Sequence, residues 1–361
     1  MKMISELAGI NRILVIKPRA IGDVLLATPV LPNLRREFPA ARIDFLVEKF
    51  AAPVLADNSF INNIISYDKK YQSSFSIISA VRSNKYDMVI DLFANPRTAI
   101  ITLLSGAKLR VGYPFKWRRY AYNVLVPSRS YKIHNIEFNL DALRSIGIRV
   151  ELSHPQFSVT DESRQFAEKF IEHHALSRKT FVTINVGGGW EIKRWKNDNF
   201  ISLCKMIRER LGYQVVVLYG PSEKTEAERI ASSSDSILAS QTSLHEMGAI
   251  MQASLLLITN DSGPMHIAAA LGVPTLAIFG PTSPQLQGPL GNVSEIVRNE
   301  RLDCLECNLT KCPIGNPCMK ELEAETVFEK LLSLISKIEK PKTQGSASPQ
   351  TEGVKKVDEG I

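Results

Sequence analysis

Long apolar segments and an export signal are missing from this sequence of 361 residues. No apolar run approaches the roughly 18–20 residues that a membrane-spanning helix needs. The opening MKMISELAGINR does not resemble a signal peptide, because Glu6 and Asn11 interrupt any apolar stretch before Ile13. Only five cysteines are present, and without an export signal they favour reduced thiols. We therefore expect a cytoplasmic protein.

Three motifs of phosphate-binding proteins are also missing. The sequence has no G-x-x-x-x-G-K-[ST], which disfavours a P-loop nucleotidase. No G-x-G-x-x-G follows the first predicted strand, where KPRAIGD stands instead, so a nicotinamide enzyme is disfavoured. No Asp-x-Asp occurs, which removes the simplest way to hold a metal-bound sugar diphosphate. Nucleotide charge would instead be met by Lys193, Arg194 and helix N-termini, without a metal.

Strand-like and helix-like segments alternate along most of the chain, which predicts βαβ units around parallel sheets. The alternation loosens around residues 151–180, where we expect a strand fragment, a polar helix and the domain junction. We therefore predict two doubly wound α/β domains facing a cleft, over residues 1–165 and 175–340. Residues 341–361 are polar and rich in Pro, Gly and Ser, which predicts a disordered tail.

Predicted strands of the second half end in four loops rich in glycine and polar residues. The loops are Gly187–Gly189 followed by Lys193, Gly220–Glu223, Asp261–His266 and Gly280–Ser283. In a parallel sheet these loops gather at the carboxyl edge, where such folds bind ligands. Glycines let the backbone approach a ligand, and helix N-termini favour anions. The loops predict a nucleotide diphosphate site, although tight turns alone are the alternative interpretation.

The stretch RILVIKPRAIGDVLLATP places Asp23 where a buried strand turns into a helix. From position alone the simplest role is a helix N-cap, worth about 1 kcal/mol. A ribose clamp and a catalytic base are the alternatives.

Two further clusters are unusual in composition. The segment Lys108–Tyr120 places basic side chains among four aromatic residues, which indicates an anionic partner or a membrane surface, or else a solvated loop. The net charge of +7 is moderate, and we expect no nucleic acid partner. Four of the five cysteines are Cys304, Cys307, Cys312 and Cys318, whose spacing allows a structural zinc site, a disulfide or free thiols.

Three blocks of sequence resemble glycosyltransferase family 9, the heptosyltransferases of lipopolysaccharide core synthesis. They are IKPRAIGDVLLATPVLPNLRREFP, NVGGGWEIKRWKNDNF and TNDSGPMHIAAALGVPTLAIFGPTSP, and the last is the most specific. The resemblance implies a GT-B fold with an acceptor-binding first domain and a donor-binding second domain. It also implies an inverting, metal-independent transfer from ADP-L-glycero-D-manno-heptose to the lipid A-linked inner core, with no cofactor.

The resemblance also assigns roles to residues. Asp23 matches the position of the family's proposed catalytic base. The donor-site matches are Gly188, Gly189, Lys193, Glu223, Asp261, Ser262, Gly263 and His266, of which Glu223 is the loosest. Lys116, Arg118 and Arg119 are weaker candidates for the anionic acceptor. A lipid-anchored acceptor implies peripheral contact with the cytoplasmic face of the inner membrane.

Two alternative functions stay open. The same fold could use another nucleotide-sugar donor for a different surface glycan. A non-catalytic nucleotide-sugar-binding protein is the second alternative.

Overall fold

The first half of the chain forms one parallel sheet of six strands in the computed structural model. The structure describes residues 7, 9–68, 70–127, 133–291 and 293–339, so the predicted disordered tail lies outside the described residues. The strands are β1 (Arg12–Ile16), β2 (Arg42–Glu48), β3 (Asn63–Tyr67), β4 (Met88–Asp91), β5 (Leu109–Gly112) and β6 (Val124–Leu125). Residues Ile13–Ile16 of β1 are fully buried, as expected of a central strand covered on both faces.

The second half forms a second parallel sheet of six strands. Its strands are β7 (Phe181–Asn185), β8 (Gln214–Leu218), β9 (Ile237–Leu238), β10 (Leu256–Asn260), β11 (Thr275–Ile278) and β12 (Ser294–Val297). The apolar runs that predicted β1, β2, β4, β7, β8, β10 and β11 all fall on strands.

Helices connect the strands of both sheets. They are α1 (Ile21–Leu25), α2 (Val30–Glu37), α3 (Ser74–Ser83), α4 (Pro96–Leu104), α5 (Asn135–Arg144), α6 (Asp161–His173), α7 (Asn197–Leu211), α8 (Lys224–Ser234), α9 (Leu244–Ala253), α10 (Gly263–Ala270), α11 (Pro284–Gln287), α12 (Pro317–Lys320) and α13 (Ala324–Glu339). Short 3-10 helices cover Ala52–Leu55, Lys116–Ala121 and Glu191–Lys193.

Both sheets have the same strand order, which is that of the Rossmann fold. The first runs β3-β2-β1-β4-β5-β6, and the second runs β9-β8-β7-β10-β11-β12 when read in the same sense. The order reverses between β1 and β4 in one sheet and between β7 and β10 in the other. Loops after these strands open the crevice in which such folds bind ligands. The predicted α/β architecture with two Rossmann-like units is confirmed.

The two halves also share packing. The apolar cluster around the first sheet continues into α9 and α10 of the second half. The ring of His245, on α9, lies with Nδ1 2.8 Å from the Ser158 carbonyl oxygen and with Nε2 2.9 Å from the Pro53 carbonyl oxygen. The polar helix expected near the junction is α6, which packs against α9, whereas the strand fragment expected before it is absent from residues 151–160. The domain bounds themselves stay a prediction.

In the described residues no helix is long and apolar enough to cross a membrane.

Asn33, on α2, ties the segment after α5 to that helix, and its loss generates our first prediction. The buried amide donates to the carbonyl oxygens of Pro29 (2.8 Å) and Leu152 (2.6 Å) and accepts from the N–H groups of Glu151 (3.0 Å) and Leu152 (3.2 Å). We expect Asn33→Ala to lower the free energy of unfolding by about 2 kcal/mol, because several polar groups lose their partner. Urea titration measures it.

Asn84→Ala is the matched control, since that amide donates only to the Ala80 carbonyl oxygen near the surface. We expect a change within about 0.5 kcal/mol for the control. Equal losses in the two variants would contradict a special role for Asn33.

Candidate functional site

Asp23 lies on the third residue of α1, just beyond the carboxyl end of β1. The expected N-cap role is wrong in its position, because Ala20 is the N-cap residue and α1 begins at Ile21. The carboxylate still serves the helix start, since Asp23 Oδ2 accepts a hydrogen bond of 3.0 Å from the Ala20 N–H. A carboxylate in the first turn also interacts favourably with the helix dipole. The side chain is therefore held in one orientation by its own helix.

The first turns of α1 and α10 meet across the cleft at two glycines. A Cβ atom on Gly22 would lie 2.7 Å from Cδ2 of His266, and one on Gly263 would lie 2.8 Å from Cγ2 of Ile21. Real Cβ atoms essentially never approach so closely. The two helices can therefore touch only because both positions lack a side chain, and this contact brings Asp23 to the second half of the chain.

A cavity of about 180 Å³ lies at this contact. Its lining combines the first and second halves of the chain: Ala20, Gly22, Asp23, Gly189, Trp190, Lys193, Asp261, Ser262, Gly263, His266 and Gln287. Seven of the residues singled out in the sequence therefore lie together, namely Asp23, Gly189, Lys193, Asp261, Ser262, Gly263 and His266. The other four lining residues, Ala20, Gly22, Trp190 and Gln287, were not among the predicted site residues.

Lys193 and Asp261 form the main ion pair of the cavity. Lys193 Nζ lies 2.7 Å from Asp261 Oδ2, and both side chains are largely buried. The same carboxylate oxygen accepts a hydrogen bond of 2.6 Å from the Thr282 hydroxyl. The Lys193 ammonium also lies 4.7 Å from the ring centroid of Trp190. Lys193 is thus positioned as a cation at the cavity wall.

Buried amides hold the loops that carry these residues. Asn185 Nδ2 donates to the hydroxyl oxygens of Thr259 (3.1 Å) and Ser262 (3.2 Å). Asn260 Nδ2 donates to the carbonyl oxygen of Gly187 (3.1 Å), and its Oδ1 accepts from the Trp195 N–H (3.1 Å). The last residues of β7 and β10 therefore fix the loop Gly187–Gly189, called the glycine loop below, relative to the start of α10.

Trp195 and Trp190 differ in their surroundings. Trp195 is buried, and its indole N–H donates to the Leu322 carbonyl oxygen (2.9 Å). Trp190, in contrast, is 38% exposed and lines the cavity. Sequence position beside Lys193 was the available signal for it.

Glu223 and Gly188 do not line the cavity. Glu223 Oε1 accepts from Arg194 Nη2 (2.7 Å) and from the Ser222 hydroxyl (2.6 Å), and Arg194 Nε donates to the Gly188 carbonyl oxygen (3.0 Å). This chain of contacts lies behind the glycine loop and ties it to the end of β8. The predicted donor contact of Glu223 stays a prediction.

His266 is a neutral histidine beside two carboxylates. Burial lowers its pKa to about 4, although the charges of Asp261 and Asp23 act in the opposite direction. At neutral pH the ring therefore carries no charge and can exchange hydrogen bonds with a ligand as donor or acceptor.

Lys17, the residue after β1, is a buried lysine near the site. It was not predicted from the sequence. Its ammonium donates to the Leu92 carbonyl oxygen (3.0 Å) and to Asn139 Oδ1 (3.2 Å). Burial lowers the pKa of Lys17, while the charges of Asp23 and Asp91 oppose that shift. A lysine directly after the apolar run of β1 was the available signal.

Lys116, Arg118 and Arg119 are not among the residues of the cavity wall. They lie on the 3-10 helix Lys116–Ala121 after β5, at the surface. The Arg118 guanidinium lies 5.4 Å from the ring centroid of Phe115. Their assignment to the acceptor stays a prediction.

All five cysteines are free thiols in the structure. Cys318 is buried, and burial together with the three neighbouring cysteines raises its pKa to about 11. The Asn316 N–H donates to Cys312 Sγ (3.1 Å). Within the described ranges, no group of three or more His, Cys, Asp or Glu side chains is arranged to hold a metal ion. A metal on these cysteines stays a hypothesis.

Comparison with known proteins supports the resemblance of the three sequence blocks. Residues 74–317 match the model of glycosyltransferase family 9 (heptosyltransferase). The chain is 29% identical over 290 residues to Lipopolysaccharide heptosyltransferase 3 of Escherichia coli, covering 75% of this chain and 84% of the relative.

Solved structures are similar over nearly the whole chain. The glycosyl transferase family 9 protein of Veillonella parvula DSM 2008 superposes with a TM-score of 0.79 at 26% identity, covering 91% of this chain and 97% of that one. The E. coli heptosyltransferase WaaC with ADP superposes with a TM-score of 0.70 at 19% identity, covering 89% and 99%, which shows the shared fold.

The pKa of His266 gives a prediction for stability. Because the folded ring takes up its proton only near pH 4 while the unfolded ring does so near 6.5, wild type loses stability as pH falls through this window. We expect the difference in unfolding free energy between wild type and His266→Asn to shrink by about 2 kcal/mol from pH 7 to pH 5. Urea titration at both values measures it, and a difference independent of pH would contradict it.

Proposed function

This chain belongs to glycosyltransferase family 9, the heptosyltransferases, and from that premise we propose a specific reaction for it. The protein moves a heptose from ADP-L-glycero-D-manno-heptose to the lipid A-linked inner core of lipopolysaccharide. The transfer inverts the anomeric centre, needs no metal or other cofactor, and uses Asp23 as general base.

One observation carries this proposal. Asp23 of the first half and Lys193, Asp261, Ser262, Gly263 and His266 of the second half line a single cavity. A group that can accept a proton therefore faces a set of groups that can bind an anion. Transfer from a nucleotide diphosphate needs these two functions on opposite sides of the transferred sugar.

The anion-binding side fits the leaving diphosphate. Ser262 precedes α10, whose first-turn N–H groups have no partner within the helix and lie at the positive end of its dipole. Lys193 supplies a full positive charge beside them, and Gly189 has open space where a side chain would stand. Together they stabilise the negative charge that develops on the departing ADP.

The other side fits activation of an acceptor hydroxyl. Asp23 takes the proton of the attacking hydroxyl on the face opposite the diphosphate, which inverts the anomeric centre. Its negative charge also stabilises the oxocarbenium-like transition state. His266 stays neutral at the working pH, so it adds no cation that would compete with the sugar for Asp23.

The same positive groups explain why, in this proposal, the transfer needs no metal ion. Lys193 and the α10 N-terminus offset the charge of the diphosphate, and no Asp-x-Asp motif offers a metal to it. Undiminished turnover in excess EDTA would support this part, and recovery only on added Mg²⁺ or Mn²⁺ would contradict it.

The names of relatives support a proposal for the acceptor, and the location is proposed from that acceptor. Lipopolysaccharide heptosyltransferase 3 of E. coli is one relative, and its name gives a lipopolysaccharide acceptor. We propose the same acceptor class here, and with it peripheral contact with the cytoplasmic face of the inner membrane.

Replacing the base tests the mechanism. We expect Asp23→Asn to lower kcat by about 10²–10⁴-fold, because the amide cannot take the proton, while ADP affinity changes by no more than about twofold. Steady-state transfer and calorimetric ADP titration measure the two effects.

Asp235→Asn is the matched control, since that carboxylate is exposed on the second half. Turnover of Asp23→Asn near the wild-type value would remove the base assignment.

A nucleotide panel tests the donor. We expect ADP to raise the apparent stability by about 2.7 kcal/mol at one hundred times its dissociation constant, with smaller effects of UDP, GDP and CMP at equal concentration. Lys193→Ala should weaken ADP binding, because the diphosphate loses a buried cation, whereas Lys205→Ala on an exposed position of α7 should not. Thermal unfolding with each nucleotide measures both.

Stronger stabilisation by a nucleotide other than ADP would favour the alternative of a different nucleotide-sugar donor. Unchanged ADP affinity in Lys193→Ala would remove Lys193 from the diphosphate site.

A further inference from the structure

One stretch of the first half carries positive charge without any carboxylate. Between Asp91 and Glu137 the sequence has eight Lys and Arg residues and no Asp or Glu. The whole chain has 44 basic and 37 acidic residues, so this separation of charge is local. A segment of one sign attracts an anionic partner over a distance of about one Debye length.

Helix α4 in this stretch shows apolar side chains to solvent. Ala99, Ile101 and Thr102 are buried, whereas Ile100, Leu103 and Leu104 are 41%, 49% and 42% exposed. These three residues have the i, i+3, i+4 spacing of a single helix face. The face is uncovered in the structure, although a surface helix normally turns polar residues to solvent.

The 3-10 helix Lys116–Ala121 adds aromatic rings and charges beside α4. Trp117 is 56% exposed and Tyr120 is 78% exposed, and Lys116 and Arg119 are exposed with them. The two helices pack against each other. Arg110 links the turn after α4 to the last residue of the 3-10 helix, since its guanidinium donates to the carbonyl oxygens of Ala107 (2.8 Å) and Ala121 (3.0 Å).

These observations define one surface, which we call the basic–aromatic face: Ile100, Leu103, Leu104 and residues 116–120, with Lys108. We propose that this face docks the protein on a bilayer that contains anionic phospholipid. Tryptophan and tyrosine side chains favour the headgroup level, with the apolar ring inside and the polar group in water. Exposed leucine and isoleucine add buried apolar area, and Lys and Arg add attraction to anionic headgroups.

The position of the basic–aromatic face relative to the cleft indicates how docking would serve the reaction. This part of the argument rests on the proposed function. The 3-10 helix begins just after the carboxyl end of β5, at the same edge of the sheet from which β1 leads to Asp23, whereas Leu103, Leu104 and Lys108 precede β5 and lie toward the amino edge. Only β4 separates β1 from β5. A protein lying on the bilayer by this face therefore turns the flank of the first sheet to the membrane, and the Lys116 end of the contact lies at the edge that opens to the cleft, where a lipid-anchored acceptor would reach it.

Vesicle sedimentation tests the proposal directly. The probes are vesicles of phosphatidylcholine alone and vesicles in which about one third is phosphatidylglycerol, at low salt. We expect wild type to bind the anionic vesicles at least about tenfold more strongly, with binding falling as salt is raised. Trp117→Ser should lower the partition coefficient about tenfold. Lys116→Gln with Arg118→Gln and Arg119→Gln should lower it about 100-fold, at about fivefold for each charge.

Matched controls lie on the second half of the chain. Lys205→Gln with Arg301→Gln and Lys320→Gln removes the same charge from exposed positions, and Leu332→Ser removes a side chain that is 40% exposed. We expect both controls to bind anionic vesicles as wild type does. Equal binding of wild type to the two kinds of vesicle, or equal losses in the controls and the face variants, would overturn the proposal.

Two further measurements distinguish membrane docking from dimerisation and from a general loss of folding. Light scattering should show the same mass for wild type and Trp117→Ser, whereas a dimer that Trp117→Ser breaks would assign the face to a second copy and overturn the proposal. ADP binding of Trp117→Ser, measured without vesicles, should equal that of wild type. Vesicle binding needs no turnover, so a failed nucleotide panel would overturn the proposed function and leave membrane docking standing.

Discussion

The contact between the Gly22 backbone and the His266 ring sets the geometry on which the rest of the site depends. A methyl group on Gly22 would overlap this buried ring, and the reciprocal contact of Gly263 with Ile21 is equally tight. The first turns of α1 and α10, which follow strands of different sheets, can therefore approach each other closely. Asp23 is the next residue of α1, so its carboxylate is carried to the wall of the second half. A glycine before the aspartate is a steric requirement at this point.

The cavity lining carries two carboxylates and one ammonium group, and these charges are not evenly distributed. They are the carboxylates of Asp23 and Asp261 and the single ammonium of Lys193, while His266 is neutral because of burial. Asp261 pairs with Lys193 and accepts from the Thr282 hydroxyl, so it orients the lysine, and the opposite charges of the pair offset each other on that side. The start of α10 adds a positive dipole end. An anion is therefore favoured near Lys193 and disfavoured near Asp23, which separates the leaving-group side from the base side.

The sequence predicted the parts of this site that depend on local pattern. Apolar runs located β1, β7 and β10, and the rule that ligands bind at the carboxyl edge grouped the loops that follow them. The position of Asp23 within its helix was missed, because the turn from Lys17 to Ala20 has no periodic signal. The Arg194–Glu223 pair was missed as well, since it joins residues 29 positions apart whose partners only the fold determines. Short strands such as β6 and β9 have too few residues for a readable alternation.

The hydrogen bond at Asp23 also bears on how one residue can serve both structure and chemistry. Its Oδ2 accepts from the Ala20 N–H, so the backbone satisfies one carboxylate oxygen and fixes the rotamer. A carboxylate has two oxygens and about four acceptor sites, so one bond leaves capacity for a hydroxyl. In the proposed mechanism, the bond to the helix start and proton abstraction would therefore use different lone pairs and would not compete. The helix start supplies the orientation that a general base needs, and no additional side chain has to provide it.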